Sequence, residues 1–124
     1  MGIRFILFSF LFACGISLTA CKDNAEVSEN HTSDFRTKKI VYTKHATCRM
    51  ECRNIDEQEV EDMVLNGIIN EKKSDPRDEP CPSIALEGIT QDQQEVRIVV
   101  ANCDEVLKVI TVIDLEREYN CNCY

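Results

Sequence analysis

No run of apolar residues in the sequence reaches the roughly 20 that a membrane-spanning helix needs. The longest, Phe5–Leu18, has the length of a signal peptide's apolar segment. Glycine is scarce, 4 in 124 residues. None of these glycines forms a phosphate-cradling loop or the sharp turn around a serine nucleophile, which removes two large enzyme classes. There is no internal repeat. Positive charge is also short, 14 Lys and Arg against 22 Asp and Glu, for a formal charge of −8. Such a surface repels nucleic-acid phosphates and matches anionic lipid headgroups poorly, so nucleic acid is not an expected partner.

What the N-terminus does contain is Arg4, the apolar run, and then Leu18-Thr19-Ala20-Cys21. A positive residue, an apolar segment and small residues ahead of one cysteine form the pattern of a bacterial lipoprotein signal. The expectation is that residues 1–20 are removed and Cys21 carries acyl chains, palmitate among them. These chains would hold the protein on a membrane outside the cytoplasm, in the cell envelope. Cys14, after Phe12-Ala13, fits less well and would leave with the signal. Loss of Arg4, the only charged residue before Cys21, makes the remainder −9. Residues 21–39 are polar and read as a flexible tether with a reach of roughly 20–25 Å. Residues 40–124 then form one small domain.

Tyr42–Arg53 is predicted as a first helix, with His45, Arg49 and Arg53 on one flank at spacing four. Asp56, with Glu59 three residues on, predicts the capping box of a second helix, and Ile55 and Val60 its hydrophobic staple. Val60, Met63, Val64 and Ile68 should share a face, and Asn66-Gly67 should end the helix with glycine in the left-handed conformation. A short strand, Ile68–Lys72, and a solvent loop, Lys73–Pro82, follow. Ser83–Thr90 and Gln94–Asn102 fold about Asp92, placing Ile84 opposite Val100, Leu86 opposite Ile98 and Gly88 opposite Val96. The same register sets Glu87 against Arg97 and Cys81 against Cys103. The last strand, Val106–Asp114, is apolar on both sides, with Leu107, Val109 and Ile113 on one and Val106, Ile110 and Val112 on the other, as an interior strand would be. The predicted class is α+β: two N-terminal helices, then an antiparallel sheet of about four strands, stapled by disulfides.

Outside the cytoplasm, six cysteines in a small domain favour disulfides. Cys81–Cys103 follows from the hairpin register. Cys48 and Cys52 are one helical turn apart, a rise of about 6 Å. Cys121 and Cys123 in an extended tail are spaced about 6.6 Å on one side. The two pairs can face each other in step and fasten the tail to the first helix, replacing core that a domain this size lacks. The competing reading is a zinc site of Cys48, Cys52, Cys121 and Cys123, with His45 as a further ligand.

His45, Arg49 and Arg53 allow two readings as well. They form a catalytic set, histidine as general acid or base and arginine holding a phosphate or carboxylate. Alternatively they are a plain helix flank whose arginines pair with Glu57, Glu59 and Asp62.

The stretch TKHATCRMECRNIDEQEVEDMVLNG over Thr43–Gly67, with the later strands VRIVVANC and KVITVIDLE, resembles the bacterial domain-of-unknown-function family 4258. The resemblance covers Tyr42–Asp114 and rests on spaced His45, Arg49 and Arg53, then Ile55, Val60 and Gly67. It implies a layout similar to small ribonuclease toxins of the RelE and barnase type, in which His45 and the arginines would act on RNA. The acidic charge and the lipid anchor run against that role. The expected function is therefore a lipid-anchored envelope protein whose domain binds an envelope protein or ligand, or serves structurally. The alternatives are a ribonuclease-like effector and a zinc or thiol-redox domain.

Overall fold

The computed structural model describes residues 34–124. The segment read as a signal, Cys14, Cys21 and the part of the segment read as tether up to residue 33 lie outside the described residues. Packing begins inside the segment read as tether, because Phe35 is 1% exposed and belongs to the core. Lys38 fixes this entry by donating from Nζ to Asn102 Oδ1 at 2.6 Å and to the Cys103 carbonyl at 3.0 Å.

The first element is a strand, β1 (Lys39–Tyr42), where Ile40, Val41 and Tyr42 are residues suited to a pleated surface. Helix α1 (Lys44–Arg53) follows directly. It starts later than the sequence pattern predicted, because Thr43 in extended conformation caps it, its hydroxyl accepting from Ala46 N–H at 3.0 Å. Asn54, at φ 56°, ends it in the left-handed conformation. Helix α2 (Glu57–Asn66) carries the expected capping box: Asp56 accepts from Glu59 N–H at 2.8 Å and Glu59 accepts from Asp56 N–H at 3.2 Å. The staple residues Ile55 and Val60 are both buried.

Gly67 departs from the expectation. Its φ of −67° and ψ of 156° are extended, not left-handed. Glycine is needed there for space, since a Cβ would lie 2.4 Å from the Met63 carbonyl oxygen. Ile68 does not continue the apolar face of α2; it turns outward on β2 (Ile68–Ile69) and is 74% exposed. The strand expected through Lys72 is cut to two residues by a 3₁₀ turn at Glu71–Lys73.

Strands β3 (Ser83–Ile89), β4 (Glu95–Asn102) and β5 (Val106–Asp114) complete a five-stranded sheet ordered β1-β5-β4-β3-β2. The expected four-stranded antiparallel sheet behind two helices is corrected in both respects. β1 precedes the helices, and it pairs parallel to β5, with Ile40 opposite Leu107. The other pairings are antiparallel, and the β3–β4 register is the predicted one, Ile84–Val100, Leu86–Ile98 and Gly88–Val96. Arg97 Nε meets Glu87 Oε1 at 2.6 Å in the predicted cross-strand pair.

β5 is interior, between β1 and β4, but its alternation is not the simple one. Val99 pairs with Thr111 and Val100 with Val109, so Ile110 is an extra residue in a bulge. The bulge switches faces, and Leu107, Val109 and then Val112 are the residues fully buried. Asp114 follows Val112 inward and is 7% exposed. Both helices lie on one side of the sheet, α1 against β5 and α2 against β3. Their Ala46, Met50, Val60 and Val64 close the core over Leu86, Ile98 and Val109.

Candidate functional site

Spacing four on α1 brings His45, Arg49 and Arg53 together, as the sequence predicted. Arg49 Nε donates to His45 Nε2 at 3.3 Å. His45 therefore presents Nε2 as an acceptor. The acids expected to neutralise the arginines do not. Glu59 is turned to its capping role, and among the described residues the ion pairs are Lys38–Asp34 and Arg97–Glu87. Among the described residues, Arg49 makes no hydrogen bond with its terminal nitrogens, and Arg53 none with a carboxylate.

Arg53 is 7% exposed and is held by the C-terminal tail. Its Nη1 lies 3.3 Å from Cys121 Sγ, and its guanidinium carbon is 5.6 Å from the centroid of the Tyr119 ring. Its Nε has no hydrogen-bond partner. Burial, with the neighbouring Arg49 charge, lowers its pKa below the ordinary guanidinium value against the opposing pull of Asp114 and Tyr119.

Three residues that sequence reasoning did not single out complete this corner. Gln94 donates from Nε2 to the Arg53 carbonyl at 3.0 Å, with Tyr119 OH at 3.3 Å and Asp114 Oδ2 at 3.4 Å as further acceptors. Asp114 Oδ1 accepts from the N–H groups of Glu116 and Arg117 at 2.9 and 2.8 Å, folding the chain back after β5. Burial pushes the Asp114 carboxyl up, but those two N–H groups and the Tyr119 hydroxyl outweigh it and hold its pKa below the usual range. An aspartate closing an apolar strand was the one available signal for this cluster. Tyr119 in a tail without periodicity gave none.

The tail is fastened as predicted, by Cys48–Cys123 and Cys52–Cys121, and the β3–β4 hairpin by Cys81–Cys103. Disulfide sulfurs carry no thiolate, so the four cysteines read as zinc ligands offer a metal no ligand in this form. Among the described residues, no group of three or more His, Cys, Asp or Glu is placed to hold a metal ion.

A separate hollow of about 500 Å³ lies at the junction of the helices, lined by Glu51, Asn54, Asp56, Glu59 and Asp92 among others. Glu59 there has its pKa raised, chiefly by burial and further by Asp92, with the backbone N–H of Asp56 opposing. Its acidic lining is opposite in charge to the His45 flank.

A family model described as a domain of unknown function (DUF4258) matches residues 42–114. No curated protein and no solved structure is significantly similar to the chain. The match takes in both helices and the strands β2 to β5, and so His45, Arg49, Arg53, Gln94 and Asp114; Tyr119, Cys121 and Cys123 lie beyond its end. With more than half of its length covered, the chain belongs to the DUF4258 family.

Proposed function

We propose that this protein is a bacterial lipoprotein of the cell envelope, anchored through Cys21, whose DUF4258 domain is a binding module rather than an enzyme acting on RNA. The observation that carries the reading is the set of three disulfides, which use all six cysteines of the domain. Cross-links of this density belong to oxidising compartments, and they agree with the lipoprotein pattern at Leu18–Cys21. The charge of −8 adds a general repulsion of polyanions. A domain on a tether of this kind meets soluble or membrane-borne partners within the reach of the tether.

Processing tests the anchor. Globomycin, or Cys21→Ser, should leave a slower-migrating precursor; normal processing under both conditions overturns the anchor. The grouping of His45 with two arginines favours one second reading, a ribonuclease-like effector. Incubating the purified chain with RNA separates the two, because cleavage abolished by His45→Ala would replace the binding module with a nuclease. A zinc or thiol-redox role would require free thiols, and an intact mass lower by six hydrogens than the reduced chain would argue against it.

A further inference from the structure

We infer that the His45–Arg49–Arg53 flank of α1 is a binding site for a single oxyanion group, a carboxylate or a phosphate, carried by a small ligand. The inference deepens the binding-module reading by naming the chemistry its site takes. In a chain with 22 acids against 14 bases, two arginines four residues apart have no carboxylate within ion-pair distance among the described residues. Instead the two cations sit close enough for Arg49 to depress the pKa of Arg53, a repulsion that an anion placed between them removes.

Geometry assigns the parts. Arg49 uses Nε on His45, which fixes the plane of its guanidinium and leaves the terminal pair of nitrogens as a fork. Such a fork matches two oxygens of a carboxylate or phosphate, and it is partly exposed. With Nε2 engaged by Arg49, His45 orients the guanidinium rather than supplying a donor of its own. Arg53 is gripped by Tyr119 and Cys121 and supplies fixed positive charge from below rather than a free donor arm. The buried Arg53 Nε lacks a partner, which leaves the guanidinium short of the acceptors it can use.

The same charge distribution decides the size of the ligand. A polyanion brought to this flank also meets the acidic remainder of the surface, including the hollow lined by Glu51, Asp56 and Asp92. A small ligand with one oxyanion meets only the local field. The disulfide-fixed tail beside the flank narrows access further, since Cys48 and Cys52 are on the same helix as the arginines.

The test is a titration of the full chain in nonionic detergent with inorganic phosphate and, separately, with acetate, following the Arg49 Nε–H and His45 ring resonances by NMR. Saturable shifts at both residues are expected with at least one of the two anions. Arg49→Gln should weaken binding about tenfold or more, as loss of a charge-assisted fork does, and Arg49→Lys should restore only part of it. Arg77→Gln, on the exposed loop, serves as the reference and should leave binding unchanged. Disulfide content and circular dichroism of each variant establish that it is folded. Absence of saturable shifts with both anions, equal loss in Arg77→Gln, or saturation by an oligoribonucleotide alone would each overturn the oxyanion site. Processing at Cys21 is read independently, so failure here is distinguishable from failure of the anchor.

Discussion

The β3–β4 hairpin and the C-terminal tail are both closed by disulfides, yet they are held by different means. The hairpin has an antiparallel ladder from Ser83–Ala101 to Ile89–Glu95, with Leu86, Ile98 and Val100 fully buried beneath it. Cys81–Cys103 closes a separation of only 22 residues at the end of that ladder. Residues 115–124 have no helix or strand, and none of them is buried. They rest on two cross-links, separations 69 and 75, and on Tyr119 against Arg53 and Gln94. One cross-link type serves two purposes here: it reinforces an element that packs by itself, and it substitutes for packing where there is none.

The largest expected effect is on the hairpin side. Leu86→Ala should cost about 2–5 kcal/mol in urea unfolding, as the loss of a fully buried leucine does. A cost below about 1 kcal/mol would mean that the ladder, not the core, holds the hairpin.

The disulfides give the sharpest contrast. By the chain-entropy relation, Cys81→Ser with Cys103→Ser should cost about 3 kcal/mol, because the native hairpin gains little freedom when opened. The same relation allows about 4.5 kcal/mol for the longer loops of the tail. The measured cost of Cys121→Ser with Cys123→Ser should fall well below that figure, since the folded state gains the freedom of a released tail. Trypsin should then cut at Arg117 while amide exchange in β3, β4 and β5 stays slow. Loss of sheet protection in this variant would make the tail a part of the core.

Smaller effects follow from charge. The Glu87 carboxyl is held below its ordinary value by hydrogen bonds from Arg97 and Asn70. Its contribution is present above the ordinary value of 4.5 and is lost as pH falls from there through the lowered folded value. Glu87→Gln should flatten that acid limb by about 1 kcal/mol or less, the range for a partly exposed pair. Glu59 has the opposite sign. With its pKa raised by burial and Asp92, it favours the fold below the ordinary value of 4.5, and that contribution is lost as pH rises through the folded value. Glu59→Gln keeps the acceptor for Asp56 N–H while removing the charge, so stability at pH 7 should rise by about 0.5 kcal/mol or less. A fall would show that the carboxylate's capping charge outweighs its burial.

Features that depend on neighbours in sequence were legible. The Asp56–Glu59 capping box, the hairpin register and the Cys81–Cys103 bridge derived from it all rest on short spacings, and the equal spacing of Cys48/Cys52 and Cys121/Cys123 extended the argument to a distant pair. β1 was not legible, because Lys39–Tyr42 runs into a helical pattern and its partner strand lies near the other end of the chain. Nor was the bulge at Ile110, since a period-two reading of Val106–Asp114 assumes that no residue is inserted. Of the site, the His45–Arg49–Arg53 alignment was visible as helical periodicity. Its lack of carboxylate partners among the described residues and its contact with Tyr119 depend on where side chains turn, which spacing does not encode.

The direct succession of β1, Thr43 and α1 has a mechanical consequence. A pull applied between the segment before Phe35 and α1 travels along Lys39–Tyr42 and through the Thr43 cap into the helix. β1 would be loaded along its length, its bonds to β5 sharing the force together rather than peeling one by one. β2 and β3 stand outside that load path, whereas Lys38 ties it to Asn102 at the end of β4 and Cys48–Cys123 ties the helix to the tail.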